Sequence, residues 1–377
     1  NLPITEFRID AFRGLKGIQL PSCGEINLLV GENNTGKTTV LDALALFCRP
    51  LDISNWREVA WRREIKSART PLTEPFMWLF PQHSSGGDNQ PIEISAHGNF
   101  PARRLRADYM EFESFDSPSK NGADHDLNMV SEDAVPEAGL ELRVLSDYAL
   151  QLNGKLDEDR VAQNTAEFKV IDYQRFTYST KVEEPFLPVG FISPVTHRTS
   201  QDTTAYLSQA LKNEWSGEDI RLSITRILRE IDSGIEKFEI IDTGQTTSTI
   251  LLKHEQTGMT PISAFGDGLR RALLIASILP ALRGGVLLID EIETALHVSV
   301  LGSVLQVLAK AAETYNVQVF ATTHSLEAVD AIVTALEPDL GSLVAYRIDN
   351  DSEGRRASYM SGEMLKRLRF ERGIEIR

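Results

Sequence analysis

The sequence predicts an α/β fold: a mostly parallel sheet, with antiparallel strands at its N-terminus and an inserted β-rich lobe. Three observations predict it. The apolar run Ile26–Val30 enters a Gly/Asn-rich loop, Gly31–Thr38, which opens a helix carrying Val40, Leu41, Leu44 and Phe47 on one stripe. From Asp267 onward helical and strand patterns alternate, which implies βα units on a parallel sheet. Between about Pro50 and Glu184, Pro, Ser, Gly and Asn interrupt short alternating runs, the pattern of antiparallel strands.

The elements follow in order. Phe7, Ile9 and Ala11 alternate with Glu6, Arg8 and Asp10, a half-buried strand; Arg13–Lys16 is a turn and Gly17–Leu20 a returning strand. Ile26–Val30 has the continuous apolar character of a central parallel strand. Strands are expected within Ile92–Ser95, Leu140–Leu150 and Glu167–Thr180. Helices are expected at Ala205–Leu211 and Ser223–Ile231, and a strand pair at Ile235–Ile241 and Thr249–Lys253. The closing series is helix Leu269–Leu279, strand Val286–Ile289, helix Val298–Ala312, strand Val317–Ala321, helix Leu326–Leu336 and strand Leu343–Ile348. The expected organisation is a head of residues 1–50 and 190–350, an inserted lobe at 51–189, and a basic C-terminal tail or helix at 351–377.

Among 377 residues, 39 Lys+Arg face 54 Asp+Glu, a formal net charge of −15. Such a molecule does not attract phosphate backbones by overall charge, so any nucleic-acid contact needs a local basic patch. Ten acidic residues and one basic residue, Lys120, fall between Asp108 and Glu141. That segment is expected to be a long acidic loop: a solvated loop, a docking site for a basic partner, or a surface imitating nucleic acid. The candidate basic patches are Arg62, Arg63, Lys66 and Arg69; Arg103, Arg104 and Arg106; and Arg355, Arg356, Lys366, Arg367, Arg369 and Arg372, each read first as a solvated face. Two cysteines, Cys23 and Cys48, make no disulfide framework and fit a reducing compartment. Asn1–Asp10 lacks the pattern of a signal peptide, and the apolar stretch Ala272–Ile289 is broken by Pro280, Arg283, Gly284 and Gly285. A cytoplasmic protein without a membrane span is expected.

Four motifs carry chemistry. Gly31-Glu32-Asn33-Asn34-Thr35-Gly36-Lys37-Thr38 matches G-x-x-x-x-G-K-[ST] between a strand and a helix. Gly31 and Gly36 let the backbone turn its N–H groups onto phosphate oxygens, and the helix start adds its positive dipole end. Lys37 supplies a point charge for the β- and γ-phosphates, and the Thr38 hydroxyl is a ligand for Mg²⁺. Asn33, Asn34, Thr35 and Thr39 complete the candidate nucleotide-binding set. Next, Val286–Ile289 delivers Asp290 and Glu291 to the C-terminal end of a buried strand, where ligands bind in parallel sheets. There Asp290 is placed to hold Mg²⁺ and Glu291 to orient or deprotonate a water. In Ala321-Thr322-Thr323-His324-Ser325, His324 follows another strand and is a candidate for contact with the γ-phosphate or that water. Ser263, Gly266 and Gly268 form a second small-residue loop before a helix, a geometry that binds anions, although capping by Asp267 would also account for it.

Together these motifs resemble the ABC-type ATPase heads of the SMC/RecF/OLD branch, most of all the OLD-like ATP-binding proteins. Phe12-Arg13-Gly14-Leu15 and the run Leu288–His297 fit the same branch. The resemblance covers roughly residues 1–50 and 190–350, and Ser263–Gly268 departs from the Leu-Ser-Gly-Gly-Gln form of transporters. It implies an ATPase using ATP and Mg²⁺, with Glu291, His324 and Lys37 catalytic. It also implies a homodimer or higher even oligomer, in which Ser263, Gly266 and Gly268 act on the second protomer's ATP and Glu293–His297 crosses the interface. Gln82 and Gln174 are the candidates for the family's glutamine loop. No long heptad arms occur, and Asp349-Asn350-Asp351 reads as a strand-edge turn more than as the Asp-x-Asp of a Toprim nuclease. The resemblance therefore implies a switch controlling a separate effector, such as a nuclease in antiphage defence. The alternatives are a RecF-like ATPase that binds DNA itself and a nucleotide-sensing scaffold with little turnover.

Overall fold

The computed structural model describes residues 2–62, 71–82, 90–114, 137–152, 155–171, 177–178, 185–212, 220–242, 248–296, 298–337, 339–351 and 354–376. The strands are β1 (Glu6–Phe12), β2 (Leu15–Leu20), β3 (Ile26–Val30), β4 (Ile92–His97), β5 (Ala102–Ser114), β6 (Glu137–Leu152), β7 (Lys155–Ile171), β8 (Thr177–Tyr178), β9 (Val189–Ile192), β10 (Ile235–Asp242), β11 (Ser248–His254), β12 (Gly258–Pro261), β13 (Val286–Ile289), β14 (Gln318–Thr323), β15 (Leu343–Asp351) and β16 (Gly354–Ser361). The helices are α1 (Lys37–Cys48), α2 (Ile53–Trp61), α3 (Glu74–Met77), α4 (Ser200–Lys212), α5 (Ile220–Ile231), α6 (Asp267–Ala281), α7 (Val298–Tyr315), α8 (Leu326–Leu336) and α9 (Gly362–Lys366). The chain forms two compact units: Asn1–Glu6, Gln19–Leu41 and Leu187–Arg377 in one, Phe7–Ile18 and Asp42–Phe186 in the other.

The first unit is built on a six-stranded sheet in the order β16-β15-β3-β14-β13-β9. Every pairing from β15 to β9 is parallel, and only β16 runs antiparallel, against β15. The side chains of β3, β13 and β14 are buried throughout, as strands covered on both faces must be. The register pairs Ile289 with Ala321 and Val30 with Thr323, so β13, β14 and β3 end together. Whatever follows these three strands therefore meets at one edge.

Helix α6 explains the rest of the core. Its Ala272, Ile275 and Leu279 belong to the cluster under the parallel sheet. Leu269, Leu273 and Ala276, at helical spacing on another face, belong to a second cluster with α4, α5 and the antiparallel sheet β10-β11-β12. From Arg271 to Leu279 every residue of the helix is buried, as a helix set between two cores must be. Two polar side chains sit inside this unit with their hydrogen bonds filled. Asn27 donates to the Gly24 and Val319 carbonyls, and Gln318 holds both the N–H and the C=O of Ile4.

The second unit holds the sheet β2-β1-β4-β5-β6-β7-β8, antiparallel wherever β4 to β8 pair. Its strands are longer than the sequence pattern predicts. Residues 108–114 belong to β5 and 137–141 to β6, so both ends of the expected acidic loop are strand; residues 115–136 lie outside the described residues. The chain after Asp351, expected as a basic tail or helix, is a strand before it becomes the short helix α9. Gly354–Ser361 is a strand of the main sheet, hidden in sequence because its exposed face leaves only Met360 fully buried.

The basic clusters are largely spent within the chain. Asp42, on α1, is fully buried and pairs with Arg13 at 3.1 Å and with Arg62 at 2.5 Å. Arg103 is buried on the carbonyls of Gly98, Phe100 and Ala102, and Arg104 pairs with Glu93. Arg369 holds both oxygens of Asp330, and Lys366 pairs with Glu337. Arg63, Lys66 and Arg69 lie outside the described residues. Removing one member of a buried ion pair strands the other charge. Asp42→Ala is therefore expected to cost about 3–5 kcal/mol, read as a lowered midpoint of unfolding. Both cysteines are free and buried, and no helix among the described residues is long and apolar enough to cross a membrane.

Candidate functional site

The loop between β3 and α1 turns on three residues in the left-handed region: Gly31 at φ 144°, Asn34 at 65° and Gly36 at 106°. Gly31 also has no room for a side chain, because a Cβ there would lie 2.5 Å from the Ile348 carbonyl oxygen. Lys37 is buried at the helix start, and its Nζ donates to the Gly31 and Glu32 carbonyls at 2.7 Å each. Burial pulls its pKa below that of an ordinary lysine, against Asp290, Glu293 and Glu291, which favour the charged form. Thr35 Oγ1 donates to Glu32 O, while Glu32, Asn33 and Asn34 form the exposed crest. Thr38 is half-buried and Thr39 buried on the first turn of α1.

The carboxylates arrive from β13. Asp290 N–H donates to Ile192 O on the neighbouring strand. Asp290 Oδ1 accepts from Thr38 Oγ1 at 2.9 Å and from Thr322 Oγ1 at 2.7 Å. The same Thr322 hydroxyl accepts from Glu291 N–H at 2.8 Å. One hydroxyl of β14 thus aligns both acidic residues, and Asp290 ties them to the phosphate loop. Glu291 has φ 49°, a conformation a non-glycine side chain keeps only where its surroundings impose it. Thr294 Oγ1 donates to Glu291 Oε2 at 3.0 Å and restrains the carboxylate.

His324 follows β14 with a half-exposed ring. The backbone N–H of His324 donates to Glu293 Oε1 at 3.3 Å, and the ring Nδ1 lies 3.4 Å from the same oxygen. Glu293, the first residue of the segment expected at an interface, contacts His324 within its own chain. His297 lies outside the described residues.

The structure brings Gly31–Thr38, Asp290, Glu291 and His324 to one end of the sheet. Ser263, Gly266 and Gly268 stand differently. Ser263 is exposed in a short turn of 3₁₀ helix, Gly266 is the exposed N-cap of α6, and Gly268 lies in its first turn. Among the described residues, neither Ser263 nor Gly266 has a hydrogen bond to the phosphate loop. Gly268 faces the Ala295 carbonyl, which a Cβ would approach to 3.2 Å. Asp267 does not cap the helix; it pairs with Arg270. Gln82 donates to Met77 O and Phe80 O, and Gln174 lies outside the described residues.

Among the described residues no three His, Cys, Asp or Glu side chains gather around one point. The donor set at the site is one hydroxyl and one carboxylate, Thr38 and Asp290. That fits Mg²⁺, which is commonly held by one or two carboxylates together with substrate phosphates. Thr322 lies in the run Ala321–Ser325, where nothing in the sequence marks its role. A threonine near the end of an apolar strand carries no signal until the neighbouring strand is known.

Residues 123–330 match the family model described as "AAA domain, putative AbiEii toxin, Type IV TA system", and residues 3–116 match "AAA ATPase domain". An uncharacterized protein of Methanocaldococcus jannaschii, MJECL11, is 39% identical over 114 residues, 30% of this chain and 98% of that protein. An ATP/GTP phosphatase of Helicobacter pylori is 29% identical over 132 residues, 34% of this chain but only 35% of the phosphatase. Among solved structures, an Smc head bound to the C-terminal winged-helix domain of ScpA is similar at 12% identity and TM-score 0.47, covering 98% of this chain and 99% of that one. An SMC head domain from Thermotoga maritima has 12% identity and TM-score 0.43, covering 95% and 99%.

Proposed function

The chain belongs to the AAA-domain family of the AbiEii, type IV toxin–antitoxin description, and on that premise we propose that it binds ATP with Mg²⁺ and hydrolyses it. The observation that carries the reading is the run of hydrogen bonds from Thr38 through Asp290 and Thr322 to Glu291. It joins the phosphate-binding loop to a carboxylate held in a constrained backbone.

The backbone N–H groups of Gly31–Gly36 and the start of α1 receive the phosphates. Lys37 exchanges its two loop carbonyls for phosphate oxygens, so a cation already desolvated meets the negative charge. Thr38 and Asp290 would hold Mg²⁺, which when bound neutralises phosphate charge. Glu291 accepts the proton as the water oxygen bonds to the γ-phosphorus and the bond to the β–γ bridging oxygen breaks. His324 donates to the γ-phosphate that leaves. Thr38→Ala is expected to lower Mg²⁺-dependent phosphate release at subsaturating Mg²⁺, and chelation to abolish release in the native chain. Release that persists in excess chelator would contradict the assignment.

The same reading extends to assembly. Two copies sandwich two ATP molecules, with Ser263, Gly266 and Gly268 of each completing the site of the other. The exposure of Ser263 and Gly266, neither of them bonded to its own phosphate loop, supports this. The target is a separate effector protein, such as a nuclease in antiphage defence. Consumption of Arg62 and Arg103 in buried contacts, with a net charge of −15, favours a protein target over DNA. Co-elution of a neighbouring gene product that ATP releases tests it; salt-sensitive DNA binding strengthened by ATP would overturn it.

A further inference from the structure

Arg271 lies on α6 among Leu269, Ala272 and Leu273 and is fully buried. Packing alone does not call for a guanidinium there, because burying one costs free energy unless it is well bonded. Its Nη1 donates to Ser193 O at 3.3 Å, and its Nη2 to Asp290 O at 3.3 Å and Glu291 O at 2.8 Å. The partners are carbonyls and not carboxylates, so what it fixes is backbone. Burial pushes its pKa down to about 10, while Glu293, Glu291 and Asp290 hold the charge in place.

The two sides of Glu291 are thereby clamped by different elements. Thr322 of β14 holds its N–H and Arg271 of α6 holds its C=O. Those clamps account for the left-handed φ of 49°. Gly268 lies three residues before Arg271, on the same face of the helix, and packs against the Ala295 carbonyl of the same turn. The first turn of α6 is thus seated on Glu291–Ala295 through both residues. The segment after β9 is fastened to it as well: Arg270 donates to Arg198 O, and buried His197 stands 3.5 Å from Asp267.

We propose that Arg271 is a positioning residue that sets the direction of the Glu291 carboxylate and couples it to the seating of the Gly266–Gly268 loop. The proposal rests on the reading that Glu291 drives hydrolysis. Movement of that loop when a second copy docks then reaches the carboxylate through one side chain, without crossing the sheet.

The test uses the full chain with Arg271→Lys and Arg271→Ala. A lysine keeps the charge but cannot span three carbonyls in a planar fork. A carboxylate turned away from its water is expected to lower kcat on the order of 100-fold, with ATP affinity unchanged. Guanidinium ion at millimolar level is expected to restore part of the kcat of Arg271→Ala and none of that of Glu291→Gln. The proposal is overturned if both variants keep the native kcat, if affinity falls in step with kcat, or if guanidinium restores nothing. If Arg271→Ala does not fold, the kcat and affinity of Arg271→Lys decide. A native chain without turnover would instead sink the hydrolysis reading itself.

Discussion

Replacing Glu291 with glutamine is expected to lower ATP hydrolysis on the order of 100- to 10,000-fold, the range over which a positioned general base contributes. The substitution keeps shape and removes only the proton acceptor. The new amide oxygen would still accept from the Thr294 hydroxyl, and the backbone clamps at Thr322 and Arg271 do not involve the side chain. Binding should therefore survive. An enzyme that binds and does not hydrolyse should accumulate its ATP-bound form, so light scattering with ATP and Mg²⁺ should read twice the mass of the chain. An unchanged mass under those conditions counts against the proposed two-copy sandwich.

Replacing Lys37 with alanine is expected to act one step earlier, on nucleotide affinity. A hydrogen bond to a charged group is worth about 1.5–3 kcal/mol, which corresponds to a roughly 10- to 150-fold weaker Kd. The effect belongs at the upper end, because Lys37 is buried and its charge already stripped of water. Its Nζ donates to the Gly31 and Glu32 carbonyls, the second of them on the exposed crest of the loop. Truncation there breaks bonds to neutral groups and strands no paired charge, so folding should be little affected. Titration with a fluorescent ATP analogue, beside a thermal melt of the same sample, separates the two quantities.

What could be read in advance follows from range. The phosphate loop is local: two glycines, a lysine and a threonine between an apolar strand and an apolar helix declare both the turn and its chemistry. Asp290 and Glu291 are nearly as local, since the apolar run before them marks a buried strand whose end must face the ligand. The roles of Thr322 and Arg271 are not local at all. Thr322 matters because β14 lies between β3 and β13, and no periodicity in the chain states that order. Arg271 sits beside Arg270 in an Arg-Arg pair that looks like solvated charge, yet one side chain is buried and the other pairs with Asp267. The same limit applies to β16, whose pattern gives no apolar stripe. It applies also to Asp42, which reads as one polar position in a helix and is the buried partner of two arginines.

On the proposed mechanism, ATP held by Gly31–Thr38 is hydrolysed by the Glu291 carboxylate, whose backbone Thr322 and Arg271 hold in place. Phosphate release by the native chain and by Glu291→Gln, at saturating ATP and Mg²⁺, tests it most directly. Steady release is expected from the native chain and almost none from the variant. Equal release from both, with ATP bound equally well, would contradict it.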